Sequence, residues 1–144
     1  MRTLNLLGFA LVLGMPAMAL ADSIAPERAL REECSAFPQA EMRECLSKKA
    51  EDSEKALRQA EKKVADTLSR WDEDSRYISQ AKAKFARSNK EFAKYRQSQC
   101  RFAASLIGGA AGNAHEMKRL ACAAELNNRR AEQLGDAISD IPLK

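Results

Sequence analysis

Residues 76–107 read RYISQAKAKFARSNKEFAKYRQSQCRFAASLI. Within them Ile78, Ala81, Phe85, Ser88, Phe92, Tyr95, Gln99, Phe102 and Leu106 recur in steps of three and four, the spacing of one face of an α-helix. Neither proline nor glycine interrupts the run. At 1.5 Å per residue such a helix is about 48 Å long. A compact globule of about 120 residues has a radius of gyration of only about 14 Å. The rod does not fit inside it, so this stretch implies an elongated helical architecture with helices crossing at shallow angles.

Working outward, the pattern breaks on the N-terminal side at Asp72-Glu73-Asp74-Ser75, where Ser75 is placed to cap the helix. Before that break, Met42, Leu46, Ala50, Ser53, Leu57, Ala60, Val64, Leu68 and Trp71 form another long stripe, and Pro38 stands at its opening. On the C-terminal side the run fades at Gly108-Gly109-Ala110-Ala111-Gly112-Asn113. A further helix then carries Met117, Leu120, Ala124, Asn127, Ala131, Leu134 and Ile138, with Pro142 beyond it. Glu27 to Glu33 reads as a short helix or turn. The predicted fold is all-α: an elongated antiparallel three-helix bundle with coiled-coil-like repeats. Phe92, Tyr95 and Trp71 fall on the stripes as core residues. Ser53, Ser88, Gln99 and Asn127 fall there too and make the core thin, so that covalent staples matter.

Composition agrees. Of 144 residues, 45% are apolar, 31% charged and 6% aromatic, a soluble globular balance. The helix-forming residues that dominate exclude a β-sandwich or a doubly wound sheet. The first residues read as a signal peptide over 1–21: Arg2, an apolar run from Leu4 to Leu13 too short to span a bilayer, Pro16, and Ala19-Leu20-Ala21 before the cut. Residues 22–144 then form a single exported domain, periplasmic or secreted. Its formal charge is one below the +4 of the whole chain, because Arg2 is lost. No cysteine follows the cut, so no lipid anchor is expected, and no membrane-spanning segment either.

Export gives the four cysteines their meaning. In an oxidising compartment Cys34, Cys45, Cys100 and Cys122 read as disulfides. They contain no C-x₂-C pair for zinc, and the lone His115 leaves no multi-histidine metal site and a weak case for a catalytic thiol. Cys100 and Cys122 are symmetric about Ala111 in the glycine-rich turn, and Cys34 and Cys45 about the Pro38-Gln39-Ala40 bend. Antiparallel hairpins would bring each pair level, giving two local bridges worth about 3 kcal/mol each. Cross pairing is the alternative.

The stretch from Ser88 to Cys100 ends in an aromatic-Arg-x₃-Cys pattern, Tyr95-Arg96 before Cys100. Gly108-Gly109 follow, and Leu126, Arg130 and Leu134 lie beyond Cys122. With Cys34 and Cys45 flanking a short loop, this frame resembles the lysozyme-inhibitor LprI-type N-terminal domain family, small exported helical proteins, from Cys34 to Leu134. The family pattern Ala-Gln-x₂-Trp-x₂-aromatic-Arg-Asp-x₂-Cys is degraded here: Asn89 stands for the Gln, Phe92 for the Trp and Gln97 for the Asp. The Leu-Asn pair of the first long helix is Leu57-Arg58, and the Thr expected after Leu126 is Asn127. Unlike the lipid-anchored member that named the family, this chain has no lipoprotein cysteine. The resemblance implies a non-covalent lysozyme inhibitor, without a cofactor or a catalytic role.

The residues themselves point away from an enzyme: there is no second histidine, no phosphate-cradling glycine loop after a strand and no nucleophile elbow. Eight basic residues between Arg76 and Arg101 face Glu91 alone. Export argues against nucleic acid as their partner, leaving lysozyme or another envelope protein, or an anionic envelope polymer. The competing expectation is that acids on the other helices neutralise this basic face. The alternative function is a periplasmic helical adaptor or envelope-associated protein without lysozyme affinity. The candidate contact surface is the tip, with Arg96, Arg101, Gly108, Gly109 and His115, since loops on a rigid scaffold commonly carry binding. For Arg96 the favoured reading is structural, a pairing with a carboxylate on a neighbouring helix.

Overall fold

The computed structural model describes residues 24–109 and 112–144. The expected signal peptide and its cut after Ala21 lie outside the described residues, as do Ala110 and Ala111 of the glycine-rich turn. The described chain is helical: α1 Glu27–Cys34, α2 Gln39–Arg70, α3 Ser75–Ser105 and α4 Ala114–Ala137. The three long predicted helices are present, and the short N-terminal one makes a fourth. Pro26 and Pro38 sit at the N-caps of α1 and α2, where a missing N–H costs nothing. The cap of α3 is Asp74, not Ser75: its carboxylate accepts the Arg76 N–H at 2.8 Å. A carboxylate also meets the positive end of the helix dipole.

The pairings fix the directions. Ser53 lies opposite Asn127 and Trp71 opposite Leu143, so α2 and α4 run parallel. Cys100 lies opposite Cys122 while Ser88 lies opposite Arg130, so α3 runs antiparallel to α4. The tail after α4 is stitched to the end of α2 by the Asp72 N–H on Pro142 O at 3.0 Å and the Lys144 N–H on Arg70 O at 2.9 Å. At 32 residues, α2 is about 48 Å long.

Three apolar clusters hold the helices. Leu30 and Cys34 of α1 pack with Leu46 of α2 and with Met117, Ala121 and Ala124 of α4. Lys118 pairs with Glu27 at 2.6 Å, and the Glu27 N–H donates to Glu125 at 2.9 Å, tying α1 to α4. At the opposite end Leu57, Val64 and Leu68 meet Leu134 and Ile138, with Phe85, Phe92 and Trp71 half-buried against them. The third cluster, Cys100, Ala103 and Cys122 with Ala123 and Leu126, belongs to α3 and α4 alone. Over its C-terminal half α3 therefore leans on α4. Both local disulfides form, Cys34–Cys45 and Cys100–Cys122, with Cα separations of 5.8 and 5.5 Å.

The stripe on α3 needs a correction. From Ile78 to Phe85, and again at Phe92 and Gln99, it faces inward as predicted, but at the other positions the inward residue is one further on: Asn89 rather than Ser88, Arg96 rather than Tyr95, Ala103 rather than Phe102. Tyr95 is 52% exposed, Phe102 57% and Leu106 69%. The reason is the bridge. Cys100 must face α4, and residues three or four away share its face, which turns Tyr95, Phe102 and Leu106 outward. Ala103 and Ala104 then let the two helices approach beside the disulfide, where an aromatic ring would not fit.

Candidate functional site

The motif residues of α3 and α4 converge on a polar seam between the helices. Asn127, 2% exposed in the middle of α4, donates its amide to Ser53 Oγ on α2 at 3.0 Å. The Ser53 hydroxyl in turn donates to Ala50 O at 2.6 Å. From α3, an Arg96 guanidinium nitrogen donates to Asn127 Oδ1 at 2.5 Å. One helical turn along α4, Arg130 donates to Ser88 Oγ at 2.7 Å and to Asn89 Oδ1 at 3.2 Å. The Phe92 ring carries Arg96 at 5.9 Å and Arg130 at 5.6 Å from its centroid, both within cation–π range. Leu134 is buried a turn below.

This seam accounts for Phe92, Arg96 and Arg130 together. Buried polar atoms stabilise only when partnered, and here three helices supply the partners, except that Arg130 Nε is buried without one. Asn127 and Ser53 were legible as polar breaks in two apolar stripes. That they face each other across the bundle was not.

The candidate contact residues gather around the Cys100–Cys122 end. Gly108 has φ +64 and Gly112 φ +67, a left-handed backbone that suits glycine. His115 Nε2 lies 3.1 Å from Gly108 O; a carbonyl only accepts, so that nitrogen carries the proton. The imidazole thus braces the turn and is partly covered, while Gly108 and Gly109 remain exposed. Arg101 is exposed and makes no ion pair among the described residues. Arg96, committed to Asn127, is half-buried.

Between α3 and α4, beside the disulfide, opens a cleft of about 450 Å³ whose polar lining is Arg96, Gln97, Arg101 and Arg119 and whose floor is Ala93 and Ala123. Arg119 was not singled out from the sequence. It holds Glu116 through two hydrogen bonds, of 2.9 and 2.7 Å. The Arg119 hydrogen bond draws the Glu116 carboxyl below its ordinary value, and the same bond raises the Arg119 guanidinium. With Arg96 held by Asn127 and Arg119 by Glu116, Arg101 is the guanidinium of the cleft left to meet a carboxylate-bearing partner.

The basic face of α3 is not neutralised by the other helices. Among the described residues its one ion pair is internal, Lys94–Glu91 at 3.5 Å. Several acids of α2 and α4 are engaged within their own helices instead, as in Glu54–Arg58 and Glu125–Arg129.

The family model described as lysozyme inhibitor LprI matches residues 32–134. That span encloses both disulfides, the polar seam and the cleft. Neither a curated protein nor a solved structure matches the chain.

Proposed function

Since the chain belongs to the lysozyme inhibitor LprI family, we propose that it is an exported, non-enzymatic binding protein that blocks a lysozyme non-covalently from its Cys100–Cys122 end. Two disulfides suit an oxidising compartment outside the cytoplasm, the periplasm or beyond. The observation that carries the reading is the unpaired, exposed Arg101 on the rim of an arginine-lined cleft, next to the Cys100–Cys122 bridge and near Gly108, whose carbonyl accepts from His115. Lysozymes cleave glycosidic bonds with two carboxylates in a cleft. A guanidinium offered from a braced tip meets such a carboxylate with little ordering cost. The net positive charge gives no long-range steering toward a basic enzyme, so binding rests on a few local anchors. In this arrangement Arg101, Gly108 and Gly109 make contact, and Arg96 and His115 position them.

The test is titration of the oxidised protein against lysozyme-catalysed cell-wall hydrolysis at low and physiological salt, with Arg101→Glu beside the wild type. Wild type should inhibit, and Arg101→Glu should inhibit at least about tenfold less well with unchanged helicity. A wild type that leaves every lysozyme class tested fully active would overturn the reading in favour of an envelope adaptor. Equal inhibition by Arg101→Glu would move the contact elsewhere.

A further inference from the structure

The outward turn of α3 leaves two parallel rows on its free face. At 3.6 residues per turn Tyr95, Phe102 and Leu106 fall on one line, while Arg87, Lys90 and Arg101 fall on another about a third of the circumference away. The first row is more than half exposed at every position. The second is exposed and, among the described residues, without an ion pair. The aromatic and cationic rows belong to the same straight helix, which is 31 residues long, or about 46 Å.

We infer that this face of α3 lies on an anionic lipid bilayer, making the protein a peripheral binder of membrane surfaces. Three physical points select that occupant. Unpaired cations beside exposed rings are the combination that interfacial helices use: rings enter the headgroup boundary while lysine and arginine meet lipid phosphates. The two rows run side by side from Arg87 to Leu106, about 29 Å of helix, so a planar surface engages both at once, whereas a pocket would reach one end. A second copy of the chain would bring like charges together along the whole row. No described helix is long and apolar enough to cross a membrane, so the contact is one of lying on the surface. The inference shares Arg101 with the lysozyme reading but stands on Arg87, Lys90, Tyr95, Phe102 and Leu106, which lie outside the cleft.

The experiment is flotation of the oxidised protein with vesicles of phosphatidylethanolamine and phosphatidylglycerol, against vesicles of phosphatidylcholine alone, over a salt series. Wild type should float with the anionic vesicles, stay behind with the neutral ones, and detach as salt rises. Each cation near an anionic surface contributes about fivefold, so Arg87→Gln/Lys90→Gln should bind about 25-fold more weakly. Phe102→Ser/Leu106→Ser should lose about tenfold. Arg58→Gln, on α2, should bind as wild type, and circular dichroism should show equal helicity throughout. A wild type that does not float overturns the inference. So does a Phe102→Ser/Leu106→Ser variant that floats like wild type, since a purely electrostatic attachment marks a soluble polyanion as ligand. A dimer in sedimentation that buries the aromatic row would assign the face to a second copy.

Discussion

Replacing Arg96 separates a structural arginine from a contact arginine. Its guanidinium donates to Asn127 Oδ1 at 2.5 Å and lies 5.9 Å from the Phe92 centroid. A hydrogen bond from a charged donor contributes about 1.5–3 kcal/mol, and a partly exposed cation–π contact about 0.5–1 kcal/mol. Arg96→Met keeps the aliphatic packing and removes only these terms, so the expected loss is about 2–4 kcal/mol. That is a large share of the roughly 5–15 kcal/mol that holds a domain folded. Asn127→Ala removes the same bond together with the one to Ser53 Oγ. The double variant should therefore fall short of the sum of the single losses by about 1–2 kcal/mol. Urea unfolding followed by circular dichroism, with all four proteins oxidised, measures the cycle. Additivity within about 0.5 kcal/mol, or an Arg96→Met variant as stable as wild type, would refute the seam and return Arg96 to the contact surface.

Removing the Cys100–Cys122 bridge, which closes a separation of 22 residues, should cost about 3.4 kcal/mol on the chain-entropy estimate; removing Cys34–Cys45, with 11, should cost about 2.8 kcal/mol. Denaturant midpoints of the paired Cys→Ala variants check the order, and far-ultraviolet dichroism should retain most helix. Gly108→Ala forces a side chain into φ +64 and should cost about 1 kcal/mol, whereas Gly109→Ala, with open space around its Cβ, should stay within about 0.5 kcal/mol; thermal melts compare them. The Glu116 carboxyl is drawn below its ordinary 4.5 by Arg119, so the folded state holds that proton less readily than the unfolded one. Its small stabilisation is present above about pH 4.5 and is lost as the pH falls through the lowered value. Glu116→Gln should flatten that part of the pH–stability curve, and an unchanged acid limb would show that the pair contributes nothing.

Finding the partner of Arg96, an amide rather than a carboxylate, required knowing which way α3 faces. The spacing of residues 76–107 leaves two overlapping stripes one residue apart, because the run mixes aromatic, small and polar side chains. Hydropathy favours the stripe through Tyr95, Phe102 and Leu106. Disulfide geometry favours the one through Arg96, Ala103 and Ala104. A covalent bridge outweighs the exposure of three side chains, so the less hydrophobic stripe is the buried one. The same turn of the helix makes Arg96 part of the interior and Arg101 part of the rim.

Local chemistry was enough to place the long helices and to favour the local pairing of the cysteines over the crossed one. Periodicity, proline and glycine punctuation, and symmetry about two turns are written within short stretches of chain. The family was legible for the same reason, since cysteine spacing survives where the helical motif has drifted. What needed the tertiary structure was every relation between helices. Ser53, Arg96 and Asn127 are far apart in sequence and meet only because α2 and α4 run parallel with α3 laid against them. Arg119 enters the cleft because α4 presents it opposite Arg101 across the bridge. Among the described residues no carboxylate of another helix comes within ion-pair distance of the basic face of α3, whose one pair is internal. Which charges find partners is a property of how rods are arranged around one another, and local sequence does not specify that arrangement.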